Sequence, residues 1–139
     1  MTKLIFLLAA AAFVAAPLAF ADEKQPAADG AKKPVPKLTV EEFDAKRKEK
    51  DAVVLDVRTP EEFKAGHVPG AVNIDIGDKE FDKKVAALDK DKTYLVHCAR
   101  GGRSAKAVER IRTAGKLDKL FDFSGGMTAW EKAGKPVEK

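Results

Sequence analysis

The chain of 139 residues contains one cysteine, two histidines, one tryptophan and one tyrosine. A lone cysteine excludes an internal disulfide, so no staple of that kind holds the fold. One thiol and two imidazoles also leave a closed zinc site of sulfur and nitrogen ligands incomplete, and no metal and no cofactor is expected. A surplus of one charge sign is missing too: 26 basic residues against 22 acidic ones give a formal charge of +4. The two signs alternate, as in EEFDAKRKEK and DKEFDKK. Such alternation marks solvated helix faces, not the basic stripe of a nucleic-acid partner. There is no internal repeat, and the length fits one small domain able to bury a core unaided.

The one long apolar run lies at the N-terminus, where MTK is followed by LIFLLAAAAFVAAPLAF, without a charged or polar side chain. Ala19 and Ala21 supply the small residues that signal peptidase reads. Residues 1–21 are therefore expected to be a signal peptide cleaved after Ala21. The run is alanine-rich, carries Pro17 and sits at the short end of the spanning range of about 17 to 25 residues, so no stable membrane anchor is expected after cleavage. The expected location is the periplasm. Residues 22–36, DEKQPAADGAKKPVP, lack apolar periodicity and read as a flexible linker. The folded domain is expected over 37–139.

Within it two periodicities alternate. Thr39 and Glu42 form a capping-box pattern for a first helix running toward Lys50. AVVLDV (52–57) is a β-branched apolar run of the kind buried on both faces of a sheet. Thr59, Pro60 and Glu62 repeat the helix-start pattern, and Gly66 ends that helix. AVNID predicts a strand, and FDKKVAALD a helix with Phe81, Val85 and Leu88 on one face. TYLVHC predicts a strand, SAKAVERIRTAG a helix with Ala105, Val108 and Ile111 inward and Gly115 at its end, and LFDF a last strand. Strands joined by helix-length connections imply parallel pairing in an α/β sheet with helices on both faces. Ligands of such sheets sit beyond the carboxyl ends of the strands, which is where Cys98 falls.

That position defines a chemistry. In HCARGGRS (97–104) the loop turns from strand to helix, so several backbone N–H groups converge and the helix adds its positive dipole end. Gly101 and Gly102 let the backbone turn and a substrate approach closely. Arg100 and Arg103 add positive charge. Each of these favours thiolate over thiol and lowers the pKa of Cys98 below its free value of about 8.5. A stabilised thiolate is a nucleophile. An inert buried cysteine is the bland alternative, and the two glycines and two arginines argue against it.

DVRTPEEFKAGHVPGAVNI, CARGGRS and SGGMTAW, in this order and spacing, are similar to the single-domain rhodaneses, a family of sulfurtransferases. The resemblance covers residues 37–134. It implies a rhodanese-like α/β fold with a five-stranded, mostly parallel sheet flanked by helices on both faces. It also implies an enzyme that takes a sulfane sulfur from a donor such as thiosulfate, holds it as a persulfide and passes it to a thiophilic acceptor, cyanide or a thiol. The family's nucleophile maps to Cys98, and its anion-binding loop to Ala99, Arg100, Gly101, Gly102, Arg103 and Ser104. Its D-x-R motif maps to Asp56 and Arg58, which are expected to tie the loop to the neighbouring strand end. Many thiosulfate-using members carry a basic residue directly after the cysteine, and this chain has Ala99, so the resemblance does not fix the donor.

The residues read by themselves agree. The Cys98 thiolate would attack the outer sulfur of a small sulfur-containing anion while the loop amides, Arg100 and Arg103 hold the leaving group. Two other readings compete. A persulfide carrier or redox sensor would use the same thiol with a partner protein as sulfur acceptor. A cysteine phosphatase or arsenate reductase would need C-x5-R, and Cys98 to Arg103 is C-x4-R, a smaller cradle. His97 neighbours Cys98 on a strand and so faces the other way, as a packing or surface residue. His67 reads as part of a structural turn, and Trp130 as an aromatic anchor beneath the last helix.

Overall fold

The computed structural model describes residues 33–139. The expected signal peptide and the linker up to residue 32 lie outside the described residues. The elements run α1 (Val40–Arg47), β1 (Ala52–Asp56), α2 (Pro60–Ala65), β2 (Val72–Asn73), α3 (Phe81–Ala86), β3 (Thr93–His97), α4 (Gly102–Ala114), β4 (Leu120–Phe123) and α5 (Gly126–Lys132). Both expected capping boxes form, at Thr39 with Glu42 and at Thr59 with Glu62.

The strands make one parallel sheet in the order β2-β1-β3-β4. Alternation along each strand splits the core into two layers. Leu55, Val57, Tyr94, Val96 and Leu120 pack with Phe81, Val85, Val108 and Ile111 from α3 and α4. Val54, Leu95 and Phe123 pack on the opposite face with Phe43 of α1 and Met127 and Trp130 of α5. In that second layer Phe43 stacks on Phe123 at 4.2 Å between ring centroids and meets Trp130 edge-on at 5.4 Å. Trp130 also donates through Nε1 to the Pro136 carbonyl at 2.7 Å, which fastens the C-terminal segment.

Three expectations shift. The sheet has four strands among the described residues, not five. What would be the fifth is a single parallel bridge, Lys37 to Asp122, made by Asp122 N–H donating to the Pro36 carbonyl and Leu38 N–H to the Asp122 carbonyl, both at 2.9 Å. Pro34 and Pro36 carry no N–H, so a longer ladder has no donors there. This same stretch places Val35, expected in the linker, against the core. On α4 the inward residue is Ala107 and not Ala105, which is exposed, because the inward stripe follows the i, i+3, i+4, i+7 spacing of Ser104, Ala107, Val108 and Ile111 and Ala105 falls to its side.

Because β1 and β3 are neighbours while their following helices lead in different directions across the sheet, their carboxyl ends form the point where connections diverge. A crevice at such a point is where an α/β sheet binds ligands. Asp56 ends β1 and Arg58 lies just beyond it, and Cys98 follows β3.

Candidate active site

Asp56 ends β1, paired in register with His97 at the end of β3. His97 faces the α1/α5 layer, fully buried and edge-on to Phe43 and Phe123 at 6.0 and 6.4 Å. Cys98, one residue on, belongs to the other layer. It sits at the floor of an open cleft of about 440 Å³ lined by Glu62, Cys98, Ala99, Arg100, Gly102 and Arg103.

The loop that follows is oriented from beneath. The N–H groups of Met127 and Thr128, in the first turn of α5, donate to the carbonyls of Cys98 and Ala99 at 2.8 and 3.0 Å. With those two carbonyls held downward, the amides of the next residues are left to converge on sulfur, and Gly101 N–H donates to Cys98 Sγ at 3.0 Å. Burial pushes the Cys98 thiol up, but the backbone N–H groups of Ser104, Arg100 and Gly101 and the Ser104 hydroxyl outweigh it, and the net shift is downward. The thiolate is therefore favoured by the polypeptide backbone.

The two loop glycines do different work. Gly101 has φ +97, and a Cβ there would stand 2.3 Å from the Ser124 carbonyl oxygen, so only glycine fits. Gly102 has no neighbour within 4 Å of where its Cβ would lie. It lines the cleft, and a side chain there would meet open space. Gly126 is the counterpart below: at φ +61, a Cβ would stand 2.5 Å from the carbonyl oxygens of both Cys98 and Ala99. The SGGMTAW motif thus acts as the bed of the cysteine loop. Ser104 is buried, with its hydroxyl 2.8 Å from Asp122 Oδ1 and 3.1 Å from the Gly101 carbonyl. Burial raises the pKa of Asp122 against the opposing effects of Ser104 and Lys37.

Of the residues expected to bind substrate, Ala99, Arg100, Gly102 and Arg103 line the cleft, whereas Gly101 and Ser104 do not and lie behind it, hydrogen-bonded to Cys98 Sγ and to Asp122. Arg100 is exposed at the mouth. Arg103 is already engaged: Nη1 and Nη2 donate to the two carboxylate oxygens of Glu62 at 2.7 and 2.9 Å. Arg103, aided by Thr59, holds the Glu62 carboxyl down at about 2. The sequence pattern marks Glu62 only as a helix cap. Its second role follows from topology, since α2 leaves β1 beside the start of α4.

Asp56 and Arg58 stay outside the cleft. Arg58 donates to both Asp56 oxygens, with the shortest contact 2.7 Å from Nη2, and to the Gly66 carbonyl at 2.7 Å. Asn73 Nδ2 donates to the carbonyls of Asp56 and Arg58. The pair therefore ties the end of β1 to the end of α2 and to β2, and its link toward the cysteine loop is the 3.8 Å approach of Asp56 Oδ2 to His97 Nε2. His67 sits in the turn after α2, stacked on Phe63 at 3.9 Å with Nδ1 2.9 Å from the Phe63 carbonyl.

A cysteine at a strand end, cradled by amides in an open cleft of a parallel α/β sheet, defines a class of thiolate enzymes. Residues 39–133 match the family model of the rhodanese-like domain, and the chain belongs to that family. It is 36% identical to thiosulfate sulfurtransferase 16, chloroplastic, of Arabidopsis thaliana, over 60% of this chain and 78% of that protein. It is 35% identical over 122 residues to an HTH-type transcriptional regulator of Mycobacterium tuberculosis, of which it spans about half, 52%. A crystal structure of a rhodanese-related protein from Thermoplasma volcanium superposes with a TM-score of 0.65 at 36% identity, covering 74% of this chain and 97% of that one. The fold and the family are those of the rhodanese-like domain.

Proposed function

We propose that the chain moves a sulfane sulfur from a donor such as thiosulfate to a thiol or cyanide acceptor by a two-step exchange through a Cys98 persulfide. The observation that carries this reading is the set of backbone N–H groups aimed at Cys98 Sγ within an accessible cleft. In the first step the thiolate attacks the outer sulfur of the donor and the donor's sulfur–sulfur bond breaks. Sulfite leaves when thiosulfate is the donor. The product persulfide is itself an anion, so the amides that favour the thiolate also stabilise the intermediate. An acceptor thiolate or cyanide then attacks the outer sulfur and regenerates the Cys98 thiolate. Neither step needs a general base, and the one carboxylate lining the cleft, Glu62, is held by Arg103. That same pairing speaks against the phosphatase reading, which needs the arginine free to grip a phosphate.

Export by a cleaved N-terminal segment, and action in the periplasm, is part of the proposal and rests on residues 1–21 alone. Intact-mass measurement of the protein purified from an exporting host tests both. The expected starting mass is that of a chain beginning at Asp22. Exposure to a sulfane-sulfur donor is expected to add one sulfur atom, which cyanide removes and which Cys98→Ser never gains. If no donor adds sulfur, the enzyme reading fails.

A further inference from the structure

Three charged side chains line the cleft above Cys98: Glu62, Arg100 and Arg103. Arg103 meets Glu62 with both terminal nitrogens, the bidentate geometry that holds a guanidinium in one orientation. Glu62 is itself restrained, because its Oε2 also accepts from Thr59 N–H and Thr59 Oγ1, each at 3.0 Å. These bonds close the capping box of α2. A capping glutamate ordinarily serves its own helix. This one also reaches a residue 41 positions later in the chain and brings a negative charge into the wall of the cleft. Arg100, exposed at the mouth, is the cleft cation not engaged by Glu62, and Ala99 adds no charge. With Cys98 ionised, the two arginines are balanced by Glu62 and the thiolate. A dianion approaching the sulfur therefore meets a cleft of no net charge, in which Arg100 is the cation not paired with Glu62, and the energy that the Glu62 charge costs a ligand scales with the ligand's own charge.

We infer that Glu62 sets donor selectivity by charge, so that the site takes its sulfur from a persulfidated thiol, R–S–SH, in preference to a dianion such as thiosulfate. This rests on the sulfurtransferase reading above. In the step, the Cys98 thiolate attacks the outer sulfur of R–S–SH. The Cys98–S bond forms, the donor's S–S bond breaks, and the bonding pair leaves on R–S⁻ beside Arg100. The proton stays on the transferred sulfur, giving Cys98–S–SH. Atoms and electrons balance without an outside oxidant or reductant. R–S–SH is presented either by a small thiol or by a protein cysteine, and both share this chemistry.

The test is the rate at which the protein gains one sulfur atom from three donors: thiosulfate, the persulfide of N-acetylcysteine methyl ester, which has no carboxylate, and persulfidated serum albumin. Wild type is expected to load from a persulfide faster than from thiosulfate. Loading from the ester identifies a small-thiol source, and loading from albumin alone a protein source. In Glu62→Gln, which keeps an acceptor for the Thr59 cap and for Arg103 but loses the charge, the thiosulfate-to-persulfide ratio is expected to rise roughly five- to tenfold, through KM. Should the variant fold poorly, added salt on wild type reads the same quantity, because screening should narrow the gap between the donors. An unchanged ratio in Glu62→Gln, a gap insensitive to salt, or wild-type loading from thiosulfate as fast as from persulfide overturns the inference and leaves the sulfurtransferase reading standing. No loading from any donor overturns both.

Discussion

Two arginine–carboxylate pairs stand near each other at the carboxyl ends of β1 and β3. Both have a shortest contact of 2.7 Å, yet they differ in the solvent around them. The side chains of Asp56 and Arg58 are 0% and 7% exposed; those of Glu62 and Arg103 are 37% and 36% exposed. The buried pair is surrounded by further hydrogen bonds, to Gly66 and from Asn73, and it braces the frame. The half-exposed pair lines the cleft and adjusts its charge. The same shortest distance thus serves architecture in one case and electrostatics in the other, and burial makes the difference.

The sharpest way to break this comparison is to remove one arginine from each pair. Arg58→Ala leaves the Asp56 carboxylate buried without its counter-ion and is expected to lower stability by about 3–5 kcal/mol. Arg103→Ala, at a solvent-screened pair, is expected to lower it by less than about 1 kcal/mol. Urea unfolding of the two variants reads the contrast, and equal losses would abolish the distinction. The glycines test the same division between frame and cleft with a smaller effect. Gly101→Ala forces φ +97 on a side chain that collides with Ser124, and a loss of about 1–3 kcal/mol is expected. Gly102→Ala, facing open space, should melt within a degree or two of wild type while raising the KM for the donor. The smallest effect is the acid limb of Glu62. Its carboxyl is lowered from 4.5 to about 2 in the folded protein. The stability it contributes is therefore complete above pH 4.5 and disappears as the pH falls from there through about 2. A stability–pH curve should show that decline in wild type and a weaker one in Arg103→Ala, where only the Thr59 bonds to Glu62 remain.

Local patterns made much of this legible in the sequence. The capping boxes, the β-branched runs and the end glycines located every strand to within a few residues, because each signal lies inside the element it describes. The position of Cys98 beyond a strand and before a helix was equally local. What stayed hidden depends on chain segments far apart. Nothing near Glu62 announces Arg103, and only the pairing of β1 with β3 brings them together. The fifth strand was expected from resemblance, and Pro34 and Pro36 reduce it to one bridge. A spacing of three chose Ala105 with Val108 and Ile111 for the inside of α4, and the observed stripe of Ser104, Ala107, Val108 and Ile111 is centred on the other side of Val108, where burial of the small polar Ser104 gave no apolar signal to mark it. Asp56 and Arg58 are expected to tie the cysteine loop, whereas Arg58 reaches toward Gly66 and Asp56 comes only within 3.8 Å of His97, a contact that depends on the pairing of β1 with β3.

The amides of Met127 and Thr128, which hold the Cys98 and Ala99 carbonyls, belong to the last helix of the chain. Translation delivers Cys98 some thirty residues before that support exists, and domains complete their packing only when their closing elements arrive. Until then the loop has nothing to fix its carbonyls, and the thiol keeps the modest acidity of an ordinary cysteine. The protein's reactivity is in this sense a property of the finished chain: an unfinished one carries the nucleophile without the environment that arms it.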